Sequence, residues 1–117
     1  MKRIVLILLL LSTTICNAQL NSNAKLIKEK LPEEYSLIKL LASEDWEGDH
    51  EMMIYTINNQ SDSLIKITEF QNASDYDEKI MVKALSEWSN NINGKKCTDW
   101  GMVEYQYKNQ LKAKSGY

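Results

Sequence analysis

Apolar residues recur at helical spacing in two long stretches of the chain. In the first, Met81, Ala84, Leu85, Trp88 and Ile92 fall along one face. The pattern predicts a helix from Ser74 to about Asn91 with Trp88 in the core. Ser74 with Asp77 reads as a capping box and Asn93-Gly94 as the stop, since both residues tolerate left-handed backbone. A second helix is expected from Pro32 to about Ser43. Proline suits the first helical position, Glu33 and Glu34 suit the positive end of the helix, and Leu37, Leu40 and Leu41 with Ile38 form the stripe. Residues 22–30 predict a shorter helix before it.

Two further stretches fit more than one period. Residues 50–70 divide into a hairpin, Met52–Ile57 and Leu64–Phe70 around Asn58-Asn59-Gln60-Ser61-Asp62. They also place Met53, Ile54, Ile57, Ser61, Leu64, Ile65 and Thr68 on one side of a single helix. Val103, Tyr105 and Tyr107 alternate as in a strand, yet Trp100, Val103, Tyr107 and Leu111 make a helical stripe. An internal repeat favours helices. Met52, Tyr55, Asn59 and Gln60 recur as Met102, Tyr105, Asn109 and Gln110 at an offset of 50. Upstream, Glu34, Lys39 and Leu41 recur as Glu78, Lys83 and Leu85 at an offset of 44. The shared Met, Tyr and Asn lie at i, i+3 and i+7, which is helical spacing. The expected fold is all-α, a small four-helix bundle built as two duplicated helical hairpins. The alternative is α+β with a small antiparallel sheet.

The N-terminus follows another pattern. Lys2 and Arg3 precede an unbroken apolar run from Ile4 to Leu11, and Cys16-Asn17-Ala18 offers small residues at the −3 and −1 positions. The run is eight residues, far short of the roughly 20 that span a bilayer. The segment resembles a bacterial Sec signal peptide. It assigns 1–18 to a cleaved leader and 19–117 to one small helical domain in the periplasm or outside the cell. Thr13-Thr14-Ile15 before Cys16 is a poor lipobox, so no lipid anchor is expected.

Composition narrows the function classes. The chain has 117 residues, room for one core. Losing Lys2 and Arg3 takes the 14 basic residues to 12 against 16 acidic ones, a net charge of −4. That balance disfavours nucleic acid and anionic lipid as partners. No phosphate-binding glycine loop, nucleophile elbow or dinucleotide fingerprint occurs, and neither an enzyme nor a cofactor is expected.

Three features remain as candidate chemistry. Residues 44–51 carry five carboxylates and the only histidine around Gly48. Asp45, Glu47, Asp49 and His50 are candidate ligands for a cation, although the spacing departs from a calcium-binding loop. Tyr55, Tyr105 and Tyr107 are candidate partner-binding aromatics. The tail after Glu104 holds Lys108, Lys112 and Lys114 with no acid, and could pair with the acidic stretch of the same chain or of a second one. Cys97, the one thiol left after cleavage, follows the Asn-Gly break; it is expected in a surface loop, able to form an intermolecular disulfide in a homodimer. Asp62-Ser63-Leu64 resembles a short bacterial O-glycosylation motif. The expectation is an exported, non-enzymatic helical protein that binds an unknown protein or cell-envelope component. The alternative is a small cation- or ligand-binding protein that uses the acidic loop.

Overall fold

The computed structural model describes residues 19–117; the expected leader, 1–18, with Cys16, lies outside the described residues. The chain is mostly helical, with one small antiparallel sheet: α1 (Ser22–Lys30), α2 (Pro32–Asp45), α3 (His50–Gln71), α4 (Glu78–Glu87), β1 (Ser89–Ile92), β2 (Lys95–Thr98) and α5 (Trp100–Ser115). Among the described residues no helix is long and apolar enough to cross a membrane.

Residues 50–71 form one helix, and the polar run in its middle explains itself by its partners. The Asn58 side-chain amide donates to the Gln19 carbonyl at 2.9 Å and accepts from the Asn21 N–H at 2.8 Å. Asp62 receives the side-chain amides of Asn21 and Asn23, both at 3.0 Å. Gln60 and Ser63 bond to residues at the start of α5. These residues look like a turn in sequence because they are polar; in the fold they tie α3 to both ends of the domain. Ser61 is the exception, a fully buried hydroxyl with no hydrogen-bond partner.

Two helix assignments change. The helix expected from Ser74 starts at Glu78, with the Asp77 carboxylate accepting from the Ile80 N–H at 3.1 Å, and it ends at Glu87. Asn93-Gly94 is the tip of a hairpin rather than a helix stop. Asn93 at φ 52° and Gly94 at φ 80° supply the two left-handed positions that a two-residue turn needs between Ile92 and Lys95. The same conformational freedom serves both structures, so the dipeptide alone does not distinguish them. Trp88 therefore caps α4 and is half-buried rather than central, with its indole N–H donating to Gln106 Oε1 at 2.7 Å. In α2 the buried centre is Ile38 and Ala42; Leu37, Leu40 and Leu41 flank it.

The core lies in two clusters. Ala24, Ile27, Ile38, Ala42, Ile57 and Leu64 join α1, α2 and the first two thirds of α3. Ile67, Met81, Ala84, Val103 and Tyr107 join the end of α3 to α4 and α5. Trp100 packs against both. Between them, Gln60 donates to Asp99 Oδ1 at 2.9 Å and accepts the Trp100 N–H at 2.6 Å, while Ser63 donates to Glu104 at 2.8 Å. These pairings run in the same order along α3 and α5, so the two helices lie parallel. The hairpin folds back onto α2.

Candidate functional site

The acidic turn projects from the end formed by α2 and α3. Glu44, Asp45, Trp46, Glu47, Gly48, Asp49 and His50 are all exposed. Gly48 takes φ 85°, and the Asp49 N–H closes the turn on the Trp46 carbonyl at 2.9 Å. Asp49 caps α3 by accepting from the Met52 N–H at 3.1 Å. The candidate cation ligands Asp45, Glu47, Asp49 and His50 do not converge. Among the described residues no group of three His, Cys, Asp or Glu side chains is placed to hold a metal ion. A short turn between two helices fans its side chains outward, which is why adjacency in sequence produces no cage.

The three candidate tyrosines separate. Tyr55 and Tyr105 are 59% and 62% exposed, on different helices. Tyr107 is 1% exposed, so its expected place on a recognition surface is corrected. It lies on the inner stripe of α5, stacks on Phe70 at 5.1 Å and on Tyr76 at 6.0 Å, and accepts the Asp77 N–H at 3.0 Å. Burial raises the pKa of Tyr76 above the ordinary tyrosine value.

Cys97 is likewise interior. It sits in β2 opposite Asn90 and is 2% exposed, which corrects its expected place in a surface loop. The hairpin carries it inward where β2 packs on α2. Burial raises its pKa, and the negative charge of Glu34 adds to the rise. A buried thiol held protonated is a poor nucleophile and is not available to a second chain. Ser63 is also buried and engaged with Glu104, so the Asp-Ser-Leu motif offers no accessible hydroxyl.

A different site emerges where α3 and α5 end. A groove of about 880 Å³ has an apolar floor of Phe70, Tyr107 and Leu111, with Lys108, Lys112 and Lys114 along α5. Asp75 is the one carboxylate in its lining. Lys114 is held by the Asp77 carboxylate, a pairing that raises the lysine's pKa and lowers the aspartate's. Lys108, itself exposed, reaches the half-buried Glu104 at 3.7 Å, a long contact and a weak tie. Lys112 has no carboxylate partner among the described residues. The groove is suited to an apolar group carrying negative charge. The sequence marked the lysine tail and placed Leu111 on a helical stripe, but gave no groove for them to line. Phe70 was not joined to them, because it comes from 37 positions earlier than Tyr107 and only the packing of α3 on α5 unites them.

Compared with protein-family models, with curated proteins and with solved structures, the chain matches none.

Proposed function

We propose that this is an exported, non-enzymatic interaction protein whose groove at the ends of α3 and α5 takes an acidic segment of another polypeptide in the cell envelope or outside it. The observation that carries the reading is the groove itself: an apolar floor beside lysines, one of which has no acidic partner among the described residues. An anionic, partly apolar segment would bury its apolar group on Phe70 and Leu111 and place carboxylates near Lys108 and Lys112. The non-enzymatic part rests on the separation of reactive groups. His50 is exposed at the start of α3, while Cys97 is buried in β2.

Export and cleavage between Ala18 and Gln19 rest on the leader sequence alone. The bundle is two related hairpins, α2–α3 and α4–α5, with α1 appended. In support, Asp49 and Asp99, also 50 apart, each cap a helix by accepting from the N–H of a methionine, Met52 or Met102. Tyr55 and Tyr105 are both exposed, and Ile57 and Tyr107 both buried.

The test is fluorescence anisotropy of a labelled peptide in which Asp and Glu flank a tryptophan, titrated with the purified protein. Saturable binding that weakens with salt and is lost with Lys112→Glu is expected. The absence of binding at about 1 mM protein, where even a weak specific contact registers, would overturn the reading.

A further inference from the structure

The acidic turn and the lysine groove are complementary, and one molecule cannot join them. The turn immediately precedes His50 at the start of α3, whereas Phe70 in the groove is at its other end. The 20 residues between them rise 1.5 Å each, so α3 separates the two features by about 30 Å.

The turn also carries the chemistry that the groove lacks. Trp46 is 37% exposed and stands between Asp45 and Glu47. Glu44 and Asp45 occupy the last turn of α2, the negative end of the helix, where carboxylates are locally unfavourable. None of Glu44, Asp45, Glu47, Asp49 or Glu51 makes a salt bridge within the described residues. Asp49 and Glu51 serve the start of α3, but local stability gives no reason for Glu44, Asp45 and Glu47 to gather here, and an external cation would relieve them. At the opposite pole Lys112 and Lys114 occupy the last turn of α5.

We infer that the occupant of the groove is the acidic turn of a second copy of this chain: Trp46 seats on Phe70 and Leu111, and Glu44, Asp45 and Glu47 face Lys108 and Lys112. This rests on the docking role proposed above and names its partner. The turn is closed by its own hydrogen bond between two helices, so little ordering accompanies docking. Tryptophan is the side chain most suited to anchoring such a contact. Because turn and groove are different surfaces, the contact is not self-complementary. Two copies close only if each inserts its turn into the other's groove; otherwise the contact repeats along a chain of copies.

Sedimentation of the purified protein across concentration and salt tests this. The average mass should rise with concentration to two copies or more and fall toward one copy as added salt screens the charges. Lys112→Glu and the double variant Glu44→Lys/Glu47→Lys should each stay monomeric, and an equimolar mixture should associate again, since each supplies the half that the other lacks. A wild-type protein that stays monomeric at about 1 mM but still binds the acidic peptide would overturn self-docking and leave the docking role standing. If the peptide also fails to bind, both fall. Association indifferent to either variant would place the contact elsewhere and overturn the inference.

Discussion

The phenol oxygen of Tyr107 accepts the backbone N–H of Asp77 at 3.0 Å, so a buried side chain of α5 holds the residue that caps α4. Asp77 in turn binds Lys114, two turns further along α5. One helix thus positions the start of the other at two points, and the groove floor is fixed by the same aromatic ring.

Removing only that hydroxyl should be measurable. Tyr107→Phe keeps the stacking on Phe70 but leaves the Asp77 N–H, half-buried, without its acceptor. A loss of about 1 kcal/mol in denaturant unfolding is expected. Unchanged stability would show that water replaces the phenol.

The Asp77–Lys114 pair predicts a pH dependence at both ends of the scale. The hydrogen bond from Lys114, and then that from the Ile80 N–H, lower the pKa of Asp77. Its contribution is present above the unfolded carboxylate range and is lost as pH falls through the depressed folded value. Lys114, raised by the same hydrogen bond, contributes fully below the ordinary lysine range and loses that contribution as pH rises through its elevated value. Asp77→Asn keeps a capping side chain but removes the charge. Its melting temperature should lie below wild type at neutral pH and converge with it toward about pH 2. A gap that persists in strong acid would mean the charge contributes nothing.

Cys97 should resist a thiol reagent in the native state and react on denaturation, because it is buried where the hairpin packs on α2 and its thiolate is disfavoured. Non-reducing electrophoresis should show no disulfide-linked dimer. Rapid native labelling would show that the hairpin opens away from α2.

Gln60 bridges the two cores by donating to Asp99 and accepting from Trp100. Gln60→Glu would replace the donor with a second carboxylate at 2.9 Å from the first. A loss of about 2 kcal/mol or more at neutral pH is expected. The new carboxyl would have a folded pKa above its unfolded value, so this stability should return as pH falls. Thermal melts at neutral and mildly acidic pH decide it, and a pH-independent loss would implicate geometry rather than charge.

The helical stripes were legible where apolar residues followed one period, as in α4, where Met81, Ala84 and Leu85 turn inward. In α5 the stripe of Trp100, Val103, Tyr107 and Leu111 competed with a strand-like alternation, and only the internal repeat favoured the helix. Sequence failed where one residue preference serves two structures. Asn93-Gly94 suits a helix end and a tight hairpin equally, and misplacing it also put Cys97 on the surface. The middle of α3 was ambiguous for a related reason: Asn58, Gln60 and Asp62 resemble turn residues until their distant partners are known. Tyr107 misled because a tyrosine suits a surface and an interior that supplies one hydrogen bond. The groove depended on bringing Phe70 to α5, a relation that no local pattern encodes.

The division of the core into two clusters bears on the order in which the chain can assemble. Apart from Trp100, every member of the first cluster comes from residues 20–65, which leave the ribosome before α4 and α5 follow. The leading half can bury its apolar face while the trailing half is still a thread. The polar seam of Gln60 and Ser63 then waits for Asp99 and Glu104, offering the late-arriving helix hydrogen bonds to align on instead of a bare apolar surface that any passing chain could occupy.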